Sequence, residues 1–325
     1  MAFLIAVLLS FIPAFFYATI VYWLDRFEKE PMRLLVGAFL WGALVATIGA
    51  IIWTSALEVG VAMLIADELM LEFTGTALLA PIVEEVLKGI AVGLIFLIAP
   101  YEFDSVLDGM VYGAITALGF AATENVLYLY FLGYQDGGYE SMFALFILRV
   151  ILGGWGHAVY TAFFGMGLAL ARLRRGTFSR IFFPLLGLFI AIFLHALHNG
   201  MAVLLGEALG LAGLALILMV DWIGWLVALG VVIWALMRER RWLKTYLREE
   251  AARGTISVAQ YETASSLRKQ IFARWRSREA RLFYQTCAEL AQKKHQLAKM
   301  GEERGNSAMI LQLRNRLADL SPQVG

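Results

Sequence analysis

The sequence predicts an all-α, polytopic membrane protein with about seven transmembrane helices and a helical C-terminal tail in the cytosol. Hydrophobic residues make up 60% of its 325 residues and the mean hydropathy is +0.71, which is too high for a water-soluble domain of this length. The apolar residues form runs of about twenty or more, the length of helix that crosses a hydrocarbon core about 30 Å thick. Each spanning backbone must satisfy its own hydrogen bonds, so runs of this length indicate helices.

Seven runs are long enough to span the lipid bilayer. They are residues 2–24, 34–57, 75–99, 105–132, 142–171, 181–206 and 211–237. We interpret the first as a retained span, because no basic residue precedes Arg26, whereas a cleaved signal peptide begins with a positively charged region.

The loops between these spans predict the orientation of the chain. Lys and Arg follow spans 1, 5 and 7 (Arg172, Arg174 and Arg180 come after span 5), and the loops after spans 2, 4 and 6 contain neither. Basic residues in short loops stay on the cytoplasmic side of a membrane. We therefore expect a multi-pass protein of the cell membrane with its N-terminus outside and its C-terminus in the cytoplasm.

A change in charge near Met237 predicts a domain boundary. Residues 1–237 contain 9 Lys and Arg against 17 Asp and Glu, whereas residues 238–325 contain 18 against 9. The prediction is a transmembrane domain, 1–237, and a basic helical cytosolic tail, 238–325. The single cysteine, Cys287, excludes a disulfide framework. No recognition motif accompanies the basic residues, so nucleic acid is not an expected partner.

Ionisable side chains inside the predicted spans are the best indication of function. A charge at mid-bilayer costs about 2.5–3.5 kcal/mol on insertion scales, so such groups usually face the interior of the bundle and have a function. The candidates are Glu84, Glu85 and Lys88 on the third span, Glu124 on the fourth, His157 on the fifth, and His195, His198 and Asn199 on the sixth.

The depth of these ionisable residues in the bilayer predicts one shared, water-filled site in its outer half. At about 1.5 Å of rise per residue, four of them lie roughly 12–22 Å below the outer ends of their spans. These four are Glu84, Glu124, His157 and His198. A stripe of small residues on the fourth span allows close contact with a neighbouring helix. The stripe consists of Gly109, Gly113, Ala117 and Ala121.

Two hydrolytic mechanisms fit these residue types. Histidine and carboxylate from separate helices are ligands of catalytic zinc, which keeps one position open for water, and a further carboxylate can act as general base. In a metal-free alternative, a glutamate activates water while histidine and asparagine donate hydrogen bonds to the oxyanion. The sequence contains no His-Glu-x-x-His, no Gly-x-Ser-x-Gly and no phosphate-binding loop. The signature of ordinary zinc proteases is therefore absent, and a serine hydrolase or a nucleotide-driven protein is excluded.

Four blocks of sequence, each on its own predicted span, carry a resemblance to a known family. They are Glu84-Glu-x-x-Lys88, Asp108-Gly-x-x-Tyr-Gly followed by Gly119-Phe-Ala-x-x-Glu-Asn125, His157-Ala, and His195-x-x-x-Asn199. With these blocks, the chain over about residues 10–235 resembles the PrsW family of intramembrane proteases, relatives of the CAAX-type prenyl-protein endopeptidases. The resemblance implies an enzyme that makes the first cut in single-span membrane proteins, such as anti-sigma factors, near the outer face.

The resemblance also implies roles for individual residues. Glu84 would activate water, with Lys88 and Asn199 as further catalytic candidates, and its neighbour Glu85 remains an alternative for the same role. Glu124 stands where the CAAX-type enzymes place a histidine.

For the metal, we predict that Glu124, His157 and His195 hold one zinc ion, Zn²⁺. His198 is a further candidate ligand, or a residue that supports the site by a hydrogen bond.

Two other functions remain open. A proton- or ion-coupled transporter could use the same buried Glu and His residues as a relay, although such proteins often have internal repeats and this sequence shows none clearly. The other alternative is an inactive relative that binds membrane partners, with the tail as a docking arm.

Overall fold

A computed structural model describes residues 1–24, 29–174, 176–302 and 305–324. Within these ranges the regular structure consists of α, 3₁₀ and π helices, and no β-strand occurs. The predicted all-α class is therefore confirmed. The chain divides into two compact units, one that contains residues 1–24 and 30–230, and one that contains residues 231–324.

The first unit contains nine helices in the part of the chain that the structure describes, and the start of a tenth. They are α1 (Ala2–Leu24), α2 (Met32–Leu40), α3 (Thr47–Ala62), α4 (Glu68–Phe73), α5 (Ala80–Ile98), α6 (Val106–Leu127), α7 (Asp136–Leu145), α8 (Gly156–Leu173), α9 (Thr177–Leu209) and α10 (Leu211–Ala252).

Four π-helical segments join or extend these helices, at Trp41–Ala46, Thr74–Leu79, Tyr128–Gln135 and Phe146–Leu152. π segments are rare in proteins and are frequent at functional sites. The last three of these four contribute residues to the large cavity of the unit, which is described below.

Each of the seven predicted spans is helical over most of its length. Among the described residues, five helical segments are long and apolar enough to cross a membrane. These are Ala2–Leu24, Met32–Ala62, Val106–Leu173, Thr177–Gly206 and Leu211–Ala252. Val106–Leu173 includes most of the two predicted spans 105–132 and 142–171. The remaining predicted span, 75–99, contains α5, which is less apolar because it carries the three charged residues Glu84, Glu85 and Lys88. The chain is thus a polytopic helical membrane protein, while the count of seven and the orientation stay predictions.

Helix α6 lies at the centre of the first unit, and 19 of its residues are buried. The predicted stripe of small residues is the reason that α8 can lie directly against it. A β-carbon built on Gly109 would lie 2.1 Å from the carbonyl oxygen of Gly165 in α8, and one on Gly165 would lie 1.8 Å from that of Gly109. Only glycine allows two helix backbones to approach so closely. This part of the prediction is confirmed.

The second unit combines the polar end of α10 with four shorter helices in its described ranges. These are α11 (Val258–Ala264), α12 (Leu267–Arg274), α13 (Arg278–Met300) and α14 (Asn306–Leu320). The core includes Leu247, Phe283 and Cys287, each fully buried, and burial raises the pKa of the Cys287 thiol. The fully buried Glu250 accepts hydrogen bonds from Lys294 at 2.7 Å and from Arg314 at 2.7 and 2.8 Å. The predicted tail is therefore a packed helical unit with its own core.

Candidate active site

Six of the eight predicted site residues line one cavity of about 760 Å³ in the first unit, and the other two, Glu85 and Lys88, are buried beside it. Four helices and one π segment supply its main polar side chains. These side chains are Glu84 from α5, Glu124 from α6, Arg149 from the Phe146–Leu152 segment, His157 from α8, and His195 and Asn199 from α9. Residues that are far apart in the sequence thus meet in one place.

Helix α5 begins with Pro81 in its first turn, where a missing backbone N–H is tolerated. Its next turns carry Glu84, Glu85 and Lys88. The Lys88 ammonium lies 3.1 Å from Oε2 of Glu84 and 2.9 Å from Oε1 of Glu85, and Lys88 is fully buried. It also lies 4.0 Å from the centre of the Phe120 ring, a cation–π contact. Two carboxylates and one aromatic face therefore compensate a cation that has no access to water.

The two adjacent glutamates have different surroundings. Glu84 lines the cavity, whereas Glu85 is fully buried behind it. Oε1 of Glu85 lies 3.0 Å from Nδ1 of His195, and its Oε2 accepts a hydrogen bond of 2.7 Å from the hydroxyl of Thr161. With Lys88 also on Oε1, both oxygens of Glu85 are occupied. This carboxylate is placed to orient His195, the role that an outer carboxylate plays for a metal-binding imidazole.

His157 lies between two charged groups. Its Nε2 is 3.1 Å from Oε2 of Glu124, and its Nδ1 is 3.2 Å from the Lys88 ammonium. The same Glu124 oxygen accepts a hydrogen bond of 2.9 Å from Arg149, which also donates to Asn125 at 3.3 Å. Glu124 is thus held in the cavity wall by a cation and an imidazole.

Three side chains could hold a metal ion together. Glu84, His157 and His195 each offer one ligand atom, and these atoms all lie within 4.8 Å of one another. Two imidazoles and one carboxylate are a ligand set of catalytic zinc, so the residues present fit such an ion. The predicted set instead combines the two histidines with Glu124. In the structure Glu124 contacts His157, and the assignment of Glu124 as a ligand stays a prediction.

The remaining predicted residues of α9 are tied to neighbouring helices. Asn199 lines the cavity and donates a hydrogen bond of 2.9 Å to the carbonyl oxygen of Thr76 in a π segment. His198 has its Nδ1 2.9 and 3.0 Å from the two oxygens of Asp221 in α10. The sequence analysis did not single out Asp221. The signal was present, because Asp221 is the only ionisable residue of the predicted span 211–237.

Comparison with known proteins identifies the family of the chain. Protease PrsW of Geobacillus kaustophilus (strain HTA426) is 29% identical over 231 residues, which cover 70% of this chain and 87% of that protein. No solved structure matches the chain. The family model described as "PrsW family intramembrane metalloprotease" matches residues 30–244, which is more than half of the chain and includes every cavity residue named above. The chain therefore belongs to the PrsW family of intramembrane metalloproteases.

Proposed function

We propose that this intramembrane protease hydrolyses a peptide bond of single-span membrane proteins of the anti-sigma-factor type, near the outer face of the cell membrane. One observation carries the proposal. Glu84, His157 and His195 converge in a cavity of about 760 Å³, on helices of a membrane protein. The predicted orientation, with the N-terminus outside, supports a cut near that face.

We assign Glu84, His157 and His195 as the residues that hold a zinc ion. When bound, the ion polarises the peptide carbonyl and makes water a better nucleophile. Glu84 is preferred to Glu124 as the third ligand because one of its oxygens groups with both histidines. Glu85 fixes the ring of His195 through Nδ1, which leaves Nε2 as the nitrogen that faces Glu84 at 3.8 Å.

Glu124, the cavity carboxylate that contacts His157, then serves as general base. Its Oε2 is held by Arg149 and His157, so Oε1 is the oxygen that takes the proton of the attacking water. A positioned general base contributes about 10²- to 10⁴-fold to a rate. Exchanging the roles of Glu84 and Glu124 gives the assignment predicted from sequence, with Glu84 as the base.

Metal content and activity, measured together on purified full-length protein, test the proposal. Glu84→Gln should lose both the stoichiometric metal and the cleavage of a single-span substrate. Glu124→Gln should retain the metal and lose at least about 100-fold in cleavage rate. Glu72→Gln is the matched control, because Glu72 is an exposed carboxylate that lines the same cavity, and it should retain both properties.

Other outcomes show which of these assignments is wrong. If Glu124→Gln loses the metal and Glu84→Gln keeps it, Glu124 is the metal ligand and Glu84 is the general base. Full activity in protein that is free of metal and resists strong chelators would overturn the zinc assignment and favour the metal-free glutamate mechanism. Proton or ion flux in proteoliposomes, without any proteolysis, would overturn the proposed hydrolysis in favour of a transporter.

A further inference from the structure

A second polar cluster lies on the wall of the same cavity and has no role in the mechanism above. It consists of His198 in α9, Asp221 in α10 and Tyr160 in α8, all of which line the cavity. Asp221 is 6% exposed, and both of its oxygens lie within 3.0 Å of Nδ1 of His198. The Tyr160 hydroxyl donates a hydrogen bond of 3.3 Å to one of these oxygens. An aspartate inside an apolar span is costly and usually marks a function.

The cluster adjoins the residues that we assign to the metal. His198 follows His195 by three residues on α9, which places it one turn, or about 4.5 Å, further along the helix. Tyr160 connects the two groups, since its ring stacks on that of His195 with centroids 5.2 Å apart, while its hydroxyl reaches Asp221. A peptide bound at the proposed metal site would therefore lie beside this cluster in the same cavity.

Hydrolysis of an amide needs a proton donor as well as a base. The nitrogen leaves as an amine only if it receives a proton as the C–N bond breaks, and the mechanism above assigns no residue to this step. Asp221 holds Nδ1 of His198 as a hydrogen-bond donor, which leaves Nε2 as the nitrogen that exchanges a proton. A histidine oriented by a buried carboxylate is a common general acid.

We propose that His198, oriented by Asp221, gives the proton on its Nε2 to the leaving amine nitrogen during peptide hydrolysis. The inference rests on the proposed function. In the first part of the reaction, water forms a bond to the carbonyl carbon and passes one proton to Glu124.

The tetrahedral intermediate then breaks its C–N bond, the nitrogen takes the proton of His198, and the products are a carboxylic acid and an amine. The proton on Glu124 returns to His198 through cavity water. One water molecule is consumed, and both residues regain their starting states.

Replacement of the scissile amide by an ester tests this role, because an alcohol leaves far more easily without a proton donor than an amine does. The scissile bond is first mapped by mass spectrometry with the wild-type, full-length, zinc-loaded protein. A peptide that spans this bond and the matching ester are then used as substrates. His198→Gln should lower kcat on the amide about 100-fold or more but affect the ester by less than about 10-fold.

Two further variants keep the test decisive. Asp221→Asn preserves the shape of the side chain and should show the same preferential loss on the amide. Tyr160→Phe keeps the ring against His195 and removes only the hydroxyl, so it should lose much less than either. Zinc content and thermal unfolding of each variant show whether the site and the fold are intact.

Three results would overturn the inference while the proposed function stands. These are an equal loss on amide and ester in both His198→Gln and Asp221→Asn, unchanged rates in both, and loss of zinc from both. An equal loss would indicate that the histidine stabilises the oxyanion instead. If the wild-type protein cleaves neither the amide nor the ester, the proposed function fails, and this inference fails with it.

Discussion

Glu84 and Glu85 show how one residue step along a helix separates two roles. Successive side chains on an α-helix diverge by about 100°, so two neighbouring carboxylates have different surroundings even though Lys88 contacts both. Glu84 faces the cavity, while Glu85 lies between Lys88, Thr161 and His195 with both oxygens occupied. We therefore assign Glu85 as a positioning residue for His195.

The variant Glu85→Gln tests this assignment. Glutamine keeps the size of the side chain but loses the charge that orients His195, so we expect the affinity for zinc to fall about 10- to 100-fold. Zinc titration of metal-free protein measures this affinity, and excess zinc should restore most of the activity of the variant. The control is Glu84→Gln, whose activity excess zinc should not restore. Unchanged zinc affinity in Glu85→Gln would contradict the assignment.

At the scale of elements, the contact between α6 and α8 brings Glu124 and His157 together. Gly109 and Gly165 allow the two backbones to touch, and the 3.1 Å contact between Glu124 and His157 depends on how these helices are placed. The π segments act at the same scale. Thr74–Leu79 supplies the Thr76 carbonyl that Asn199 binds, and Phe146–Leu152 supplies Arg149.

We predict that Gly165→Ala destabilises the first unit by about 1–3 kcal/mol, the usual cost of an overpacked core. The new methyl group would overlap the backbone of Gly109, which cannot move without shifting α6. Gly93→Ala is the control, because a β-carbon at this helical glycine of α5 meets no atom within 4 Å. It should be neutral or stabilising, since alanine favours helices over glycine by about 1 kcal/mol. Thermal unfolding in detergent compares the two variants, and equal midpoints would contradict the prediction.

At the scale of the whole molecule, charge and hydropathy divide the chain into a membrane unit and a basic helical unit. Each has its own core, and the second is stabilised by ionic contacts of Glu250 with Lys294 and Arg314. The distribution of Lys and Arg among the loops predicts that the C-terminal unit lies in the cytoplasm.

Labelling of single introduced cysteines in intact cells tests this orientation. Leu64 and Phe178 are suitable positions because they are 85% and 74% exposed and lie in loops predicted to face opposite sides. A membrane-impermeant maleimide should label Leu64→Cys in intact cells, and Phe178→Cys only after permeabilisation. The native Cys287 should not react with the maleimide, since it is fully buried and burial raises the pKa of its thiol. Labelling of Phe178→Cys in intact cells would contradict the predicted orientation.

Much of the fold of this protein can be predicted from the sequence alone, because a bilayer strongly restricts which structures can cross it. Apolar runs of about twenty residues must be helices, and ionisable groups such as Glu84, His157 and His195 must turn toward the interior of the bundle. These rules predicted the all-α membrane fold and singled out ionisable residues that the structure brings together in one cavity. The sequence blocks around them were specific enough to indicate the family.

Tertiary structure alone decided how these residues are paired. Hydropathy treats Glu84 and Glu85 alike, and only the positions of α8 and α9 show that one faces the cavity and the other contacts His195. The partnership of His198 with Asp221 joins helices whose sequences give no sign of their mutual contact. The physical reason is that burial in a bilayer depends on local composition, whereas a hydrogen bond between two helices depends on their distance and rotation, which the packing of the whole bundle determines.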